Sequence, residues 1–338
     1  LTERLEWTAG GQLAAAHSQG NEGGNSVRFD HDRAGRRVSE TQLQADGWSY
    51  RVQHQHGEDR QLASTYGELP ALDWRYYGPG HLQGLSFGAL NIEFERDPLH
   101  RETARHAWLR ERDTRRSAYT AIRDYDQLGR PRRQQLSTEH GERWQREYRF
   151  DALGRLTDID DDAQGLIRYA YDPAGRLIGS RHGEEVFEYR FDPAGNRLPN
   201  AELTRPSDAD WAATVQARLK DPRFNLLGEV DGEADSRVQR WADNRVLFDE
   251  KHQYRYDTAG NLIERLGADG EHMQLHYDAR HRLVRIQRRT AQGERIEARY
   301  HYDALSRRVR KDVTRNGHTE TTRYGWDGDR LVAEETAT

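Results

Sequence analysis

The heptapeptide Tyr171-Asp172-Pro173-Ala174-Gly175-Arg176-Leu177 sets the architecture of this chain, and Phe150-Asp151-Ala152-Leu153-Gly154-Arg155-Leu156 precedes it with the same pattern. Both stretches contain an aromatic residue, an aspartate, two variable residues, a glycine, a polar residue and an aliphatic residue. An aspartate that begins a turn accepts hydrogen bonds from backbone N–H groups, and glycine supplies the positive φ that a hairpin turn with a bulge requires. Each copy therefore predicts the tip of a β-hairpin.

The motif recurs along the chain at short, regular intervals. From Asp126 onward, successive motif aspartates are 25, 21, 20, 65, 21, 25 and 24 residues apart. The turn residues of the clear copies are Asp126 with Gly129, Asp151 with Gly154, Asp172 with Gly175, Asp192 with Gly195, and Asp257 with Gly260. Asp278, Asp303 and Asp327 begin degenerate copies, and Asp32 with Gly35 forms an early one. The motif aromatic residues are Tyr125, Phe150, Tyr171, Phe191, Tyr256, Tyr277, Tyr302 and Trp326. We interpret all of these residues as structural.

Apolar side chains occupy alternate positions in the flanking segments 167–171, 187–191 and 273–277. A period of two indicates strands with one apolar face. Single hairpins cannot bury such a face alone, so we predict an all-β fold in which hairpins stack into a long, curved antiparallel sheet. A β-propeller, with a period of about 40 residues, is the less favoured alternative. His281 and Ser306 replace the turn glycine in two copies, which leaves the geometry of those hairpins open.

The composition agrees with a sheet that has little solid core. Only 34% of the 338 residues are hydrophobic and 32% are charged, yet the chain contains 32 aromatic residues and has a net charge of −5. Disordered chains have few aromatic residues and a large unbalanced charge, so these values favour an ordered, surface-rich shape. Arginines outnumber lysines 49 to three. Arginine pairs bidentately with carboxylates and stacks on aromatic rings, which suits such a surface.

Charge, apolar runs and cysteine content exclude several classes of function. The near-neutral charge argues against nucleic-acid partners and acidic membranes, both of which attract a concentrated positive patch. The sequence contains no long apolar run, so we expect neither stable membrane insertion nor a signal peptide. Cysteine is absent, which excludes disulfides and thiolate metal sites. From the residues Leu1 and Thr338 at its ends, we expect the chain to be a piece of a longer protein.

The repeat divides the chain into four segments. We assign degenerate hairpins to residues 1–73, repeat segments to 74–198 and 243–338, and an insertion to 199–242. Within the insertion, Ser207 has the features of a helix cap, and apolar residues recur with helical spacing up to Asp221-Pro222. One short helix is therefore expected at about 207–220.

No candidate for catalysis or metal binding stands out. Residues 84–88 spell the nucleophile elbow Gly-Leu-Ser-Phe-Gly, but a strand-like segment follows Ser86 where the elbow needs a helix. His54 and His56, with Asp59 nearby, lack a third ligand at metal spacing, and we expect a solvated hairpin there. The acidic run 158–162 is likewise expected to be a solvated loop, because it lacks the glycine and final glutamate of a calcium loop. We therefore predict no enzyme, no cofactor and no metal.

The repeats resemble the YD repeats of the Rhs family, which includes bacterial type VI secretion effectors and is related to the C component of Tc toxins and to teneurins. The stretches Tyr76-Tyr77-Gly78-Pro79-Gly80-His81-Leu82 and 94–102 carry the resemblance, as does Tyr254-Arg255-Tyr256-Asp257. The resemblance implies a spiral β-sheet that forms part of a hollow shell around a C-terminal toxin of the same polypeptide. It also implies a secretion spike and a chaperone as partners of segments outside this chain, synthesis in the bacterial cytoplasm, and secretion into target cells.

Two functions remain open at this stage. The first is a non-catalytic container that sequesters a toxin for interbacterial competition. The second is a binding module in which aromatic rows on an open curved sheet hold carbohydrate or a cell-surface partner.

Overall fold

A computed structural model describes residues 2–20, 23–112, 114–141, 143–191, 195–198, 239–240, 245–249 and 251–337. These residues form antiparallel β-strands and contain no α-helix, which confirms the all-β prediction. The described part of the chain accordingly offers no helix long and apolar enough to cross a membrane. The helix expected at 207–220 and most of the insertion 199–242 lie outside the described residues.

The strands are short and follow one another closely. Their bounds are β1 (Thr2–Trp7), β2 (Leu13–Gly20), β3 (Gly23–His31), β4 (Arg37–Leu43), β5 (Ser49–His56), β6 (Gln61–Tyr66), β7 (Leu72–Tyr77), β8 (His81–Phe87), β9 (Leu90–Arg96), β10 (Glu102–Glu111), β11 (Thr114–Tyr125), β12 (Pro131–Thr138), β13 (Arg143–Phe150), β14 (Leu156–Asp161), β15 (Gly165–Tyr171), β16 (Leu177–His182), β17 (Glu185–Glu188), β18 (Arg190–Phe191), β19 (Arg197–Leu198), β20 (Gln239–Arg240), β21 (Val246–Phe248), β22 (His252–Tyr256), β23 (Leu262–Gly267), β24 (His272–Tyr277), β25 (Leu283–Arg289), β26 (Arg295–Tyr302), β27 (Arg308–Arg315), β28 (His318–Asp327) and β29 (Arg330–Ala337).

The chain forms two compact units. The first unit contains Leu1–Gly88 and Trp241–Thr338, and the second contains Ala89–Arg240. In the first unit, each strand from β1 to β8 pairs with the next, and so does each strand from β21 to β29. In the second unit, the same meander runs from β9 to β17, and β18 pairs with β19. Both units are therefore stacks of consecutive hairpins.

The motif aspartate organises the turn that it begins. Oδ1 of Asp151 accepts hydrogen bonds from the backbone N–H groups of Leu153 and Arg155, each at 2.9 Å. Its Oδ2 accepts from Nε of Arg155 at 2.6 Å, while the N–H of Gly154 donates to the Asp151 carbonyl at 3.0 Å. The same set of side-chain bonds occurs at Asp32, Asp97, Asp126, Asp278 and Asp303, and at Asp257 with Asn261 in place of arginine. Asp172 bonds Arg176 in the same way. Asp192 lies outside the described residues.

The turn keeps its geometry where glycine is missing. Gly154 has φ +82°, and the equivalent His281 and Ser306 have φ 60° and 64°. The sequence left these two hairpins open, and the structure shows the same left-handed residue in both. His100 (φ 61°) marks a further copy, which starts at Asp97 and lacks the motif aromatic residue.

Arginine links each turn to the next repeat. The guanidinium carbon of Arg155 lies 5.0 Å from the centroid of the Tyr171 ring, and Nη1 of Arg155 donates to the Asp172 carbonyl at 3.0 Å. The hydroxyl of Tyr171 donates back to the Leu156 carbonyl at 2.8 Å. Similar arginine–ring contacts are Arg101 on Tyr125, Arg130 on Phe150, Arg176 on Phe191, Arg282 on Tyr302 and Arg307 on Trp326. Cation–π contacts thus run from repeat to repeat.

The interior is thin and built from small side chains. Among the residues that the structure describes, the buried hydrophobic ones are alanines and valines apart from Tyr324, and the largest fully buried side chains include Gln42 and Glu40. A solid domain would fill its core with Leu, Ile and Phe. The low hydrophobic content of the sequence therefore corresponds to sheets that bury few large apolar side chains.

Replacing the turn glycine tests the need for positive φ. Gly154→Ala should lower the free energy of unfolding by about 1 kcal/mol, because an L-residue is strained at this φ and the nearest atom to an added Cβ is only in ordinary contact. Ser306→Gly removes the same strain and should raise the free energy of unfolding or leave it unchanged. Urea unfolding measures both, and a stabilising Gly154→Ala would contradict the turn assignment.

Candidate functional site

Polar side chains join the two ends of the first unit. Polar side chains of β4 and β5 contact the turns that flank β27 and β28. The residues in contact are 267 to 290 positions apart in the sequence. We call the set Arg37, Glu40, Gln42, His54, Arg307 and Asp327 the polar seam. Two of its members, Arg307 and Asp327, belong to consecutive copies of the repeat.

Glu40 is the centre of the polar seam. Its side chain is fully buried (0% exposed), and Oε1 accepts a hydrogen bond from Nη1 of Arg307 at 2.6 Å. Oε2 accepts from Nη1 of Arg37 at 2.5 Å and from the backbone N–H of Gly328 at 2.9 Å. Arg307, itself buried, also bonds Asp303 at 2.8 Å. A buried carboxylate needs this many donors, because desolvation strongly penalises an unpaired charge.

Glutamines bind the backbone across the seam. Nε2 of Gln42 donates to the Trp326 carbonyl at 2.7 Å, and its Oε1 accepts from the Trp326 N–H at 3.3 Å. Beyond Gln42, Gln44 donates to the Val309 carbonyl at 2.7 Å. A buried carboxamide can satisfy both a donor and an acceptor of another strand. These contacts fix the position of β28 against β4.

Asp327 differs from the other motif aspartates. Its turn is a tight one in which Asp327 pairs with Arg330, and its carboxylate accepts hydrogen bonds from Arg37 and from Nε2 of His54, the latter at 3.1 Å. Burial raises the pKa of Asp327, but the His54 hydrogen bond and the Arg37 charge outweigh it, so that the net pKa is lowered. The residue that the sequence assigned to a local turn therefore connects distant strands.

A Ser-His-Asp chain occurs in the seam without the access that catalysis needs. Nδ1 of His54 lies 2.6 Å from Oγ of Ser64, and Asp327 bonds the opposite ring nitrogen. Ser64 is only 1% exposed, and its hydroxyl also accepts from Gln61. A nucleophilic serine must reach a substrate carbonyl. The arrangement is therefore a buried hydrogen-bond network.

Close approach of the strands requires glycine at position 325. A Cβ built on Gly325 would lie 2.6 to 2.8 Å from ring atoms of Tyr50, although its φ is unexceptional. Burial raises the pKa of Tyr50, and the nearby Tyr66 and Asp327 add to the effect. The Tyr50 ring thus packs directly against the β28 backbone.

A cavity of about 620 Å³ opens beside the seam. Arg37, His54 and Asp327 line it together with Tyr66, Trp74 and Tyr76. The described residues contain no group of three metal-ligating side chains here or elsewhere.

Other candidates from the sequence fall into strands. Ser86 lies within β8 opposite Asp73, and the chain continues into another strand, so the elbow geometry is absent at this position.

The solvated hairpin expected at His54 is wrong, because His54 is buried in the seam. The solvated loop expected at 158–162 is also wrong, because residues up to Asp161 belong to β14. Burial by itself raises the pKa of Asp161. Hydrogen bonds from Arg146 and from the backbone N–H groups of Gln164 and Ala163 have the larger effect and lower the pKa to about 2.

One face of β25 to β28 carries a ladder of ion pairs. Glu297 accepts from Nη2 of Arg285 at 2.6 Å and from Nε of Arg299 at 2.8 Å, while Asp312 accepts from Arg310 at 2.8 Å. By register, Arg285, Arg299 and Asp312 are direct cross-strand neighbours. The opposite face carries a row of Ile286, Ala298 and Val313. We call the first face the polar face.

Sequence reasoning missed Glu40, Gln42 and Arg307. A weak signal was present, because Glu40 and Gln42 occupy alternate positions of β4, where a buried strand face normally carries apolar residues. Nothing in the local sequence pairs them with residues near 307 and 327.

Comparison with known families and relatives gives consistent results. The RHS Repeat family model matches residues 150–185 and 256–295. Toxin protein Tse5 of Pseudomonas aeruginosa is 44% identical over 337 residues, which cover 99% of this chain and 25% of that protein. The double-stranded DNA deaminase toxin A of Burkholderia cenocepacia is 30% identical over 337 residues, which cover 92% of this chain and 20% of that protein. The chain thus spans a quarter or less of the length of these relatives.

Among solved structures, the crystal structure of TcdB2-TccC3 without its hypervariable C-terminal region matches 98% of this chain and 22% of that chain. The TM-score is 0.45 and the identity is 13%.

A double-mutant cycle tests the central seam pair. Glu40→Ala and Arg307→Ala should each lower the free energy of unfolding by roughly 3 kcal/mol, because each removes one charged partner of a buried ionised group. The double variant should lose less than the sum, with a coupling of about 1–3 kcal/mol. The exposed pair Glu111–Arg116 serves as control and should couple by less than about 1 kcal/mol. Additive losses at Glu40 and Arg307 would contradict the seam.

The polar face should make stability sensitive to acid. Hydrogen bonds from Arg285 and Arg299 lower the pKa of Glu297 from its ordinary value of 4.5 to about 2. A lowered carboxyl pKa stabilises the fold above the unfolded pKa, and this contribution is lost as pH falls from about 4.5 to 2. Glu297→Gln should therefore lower the urea midpoint at pH 7 and differ progressively less from the wild type towards pH 3. Exposed Glu320→Gln is the control, and a pH-independent difference for Glu297→Gln would contradict the assignment.

Proposed function

Since the chain belongs to the RHS-repeat (YD-repeat) family, we propose that it is a non-catalytic structural segment of a shell that encloses a toxin. The toxin is a C-terminal part of the same polypeptide, outside this chain. The shell keeps the toxin from its substrate until a bacterial secretion system, of type VI, delivers it into a competing cell. Synthesis takes place in the bacterial cytoplasm.

One observation carries this proposal. Nearly the whole chain aligns with two relatives, one named a toxin and the other named a double-stranded DNA deaminase toxin, and in both it covers only a quarter or less of the protein. A further relative of Dickeya dadantii, named a probable deoxyribonuclease, shares 202 residues with it at 32% identity. A segment shared by proteins with different named activities is best explained as the part that does not carry the activity.

The geometry supports a wall rather than an active site. The polar seam joins strands from the two ends of the first unit, as a closing sheet requires. Most charges of the polar face are paired, and a surface of paired charges binds an enclosed chain less tightly than exposed apolar surface does. The described residues bring no accessible nucleophile–base pair together at the seam, where Ser64 is buried.

The proposal assigns partners by segment. This chain contacts the remainder of its own polypeptide, including the toxin, while the secretion spike and a chaperone bind segments outside it. Nucleic acid and membrane are not partners of this segment, whose net charge is −5.

Limited proteolysis of the full-length polypeptide tests enclosure. The toxin part should resist protease in the intact protein and be cleaved when expressed alone. Arg307→Ala in the full-length protein should increase cleavage of the toxin part, because it opens the polar seam, whereas the exposed control Arg116→Ala should not. Equal cleavage of the toxin part inside and outside the full-length protein would contradict enclosure.

A further inference from the structure

A second concave site lies on the polar face, away from the seam residues. It is a cavity of about 770 Å³ at the end of β24, β25 and β26. Its lining includes His272, Gln274, Gln287, Arg289, Arg295 and Glu297, which by register belong to two adjacent cross-strand rows of one sheet face. We call this cavity the arginine bowl.

Three arginines line the bowl, and Arg288 is paired with Glu271. The other two face each other without an ion-paired carboxylate between them. Arg289 lies directly opposite Arg295 on the neighbouring strand, and both are exposed. In the described structure neither forms an ion pair, and Glu294, which also lines the bowl, forms none with them. Like charges directly opposite each other destabilise a sheet. The fold therefore gains nothing from this pair.

The rest of the polar face is compensated. Arg285 and Arg299 share Glu297, and Arg310 pairs with Asp312. His272, next to Arg289 in the same row, bonds Glu264 at 2.8 Å. Uncompensated positive charge is thus concentrated at a place on this ladder where the surface is also concave.

We propose that the arginine bowl binds an acidic peptide segment through two carboxylates, one on each of Arg289 and Arg295. Guanidinium groups bind carboxylates bidentately, and the carboxamides of Gln274 and Gln287 on the floor supply donors and acceptors for a peptide backbone. Side chains two residues apart in an extended peptide are separated by roughly 6.6 Å, and opposed residues on adjacent strands by about 4.5–5.5 Å, a difference that the long arginine side chains can span. This inference does not depend on the proposed shell.

A peptide fits the bowl better than a nucleic acid does. Glu264 and Glu297 lie at the two ends of the row that contains Gln274 and Gln287, on β23 and β26, and Glu297 also lines the bowl. An extended phosphate backbone that crosses both rows would meet these carboxylates, whereas a short segment with two acidic side chains can lie along the row of Arg289 and Arg295. Nucleic acid is accordingly an outcome that the test must exclude.

Fluorescence anisotropy with a labelled Gly-Glu-Gly-Glu-Gly peptide and the 338-residue chain tests the proposal. The peptide should bind, binding should weaken with added salt, and Gly-Gln-Gly-Gln-Gly should not bind. Arg289→Gln with Arg295→Gln should weaken binding at least about tenfold, because both charge-assisted contacts are lost. Arg4→Gln with Arg116→Gln removes the same charge from exposed sites elsewhere and should leave binding unchanged.

A stability readout separates binding from a structural role. Neutralising an opposed like-charge pair should raise the thermal midpoint or leave it unchanged, so a fall in the Arg289→Gln/Arg295→Gln variant would overturn the proposal. Equal binding by the two double variants would overturn it as well. Competition by inorganic phosphate or oligothymidylate at lower concentration than unlabelled acidic peptide would also do so, by identifying a general anion or nucleic-acid site.

Discussion

The repeat hairpins of this structure depend on an aspartate at the turn whose two oxygens have different partners. One oxygen accepts the N–H groups that face into the turn, and the other holds the arginine that follows, as at Asp151. Without the carboxylate these N–H groups would have to be left to water at a point where strands reverse direction. Because the bonds are local, the turn tolerates His281 and Ser306 at the left-handed position and still forms.

The same aspartate explains why the chain is rich in arginine. A guanidinium group fixed by Asp151 can lie flat on the Tyr171 ring while its remaining donor reaches the Asp172 carbonyl. An ammonium group has no plane to stack and no fork to share between two acceptors. Coupling between repeats is therefore polar and aromatic, and it needs little of the bulky apolar packing that the sequence lacks.

Fold class was predictable because its signals are local. The Asp-to-Gly turn and the period-two strands around it lie within a few residues, and the structure has hairpins there. Asp97 escaped detection because position 96 is an arginine, although the Asp97–Arg101 spacing was a usable signal. The polar seam was not predictable, since Glu40 and Arg307 are far apart in sequence and a charged residue on a strand normally indicates an exposed face. His54 and Asp161 were misjudged for the same reason: burial of a polar side chain depends on partners that a single sequence does not identify.

The polar character of the seam also affects how the first unit avoids aggregation while the ribosome is still synthesising it. Glu40 and Arg307 are separated by 267 residues, so at about 5–20 residues per second the ribosome needs roughly 13 to 53 seconds to supply the second partner after the first. During that interval the contact surface of β4 and β5 has to remain unpaired. Glu40, Gln42 and His54 stay hydrated in the meantime, whereas an apolar surface of that size would attract other nascent chains. A charged interface costs more free energy to desolvate than an apolar one. It stays soluble, however, until the C-terminal strands of the same chain have been synthesised.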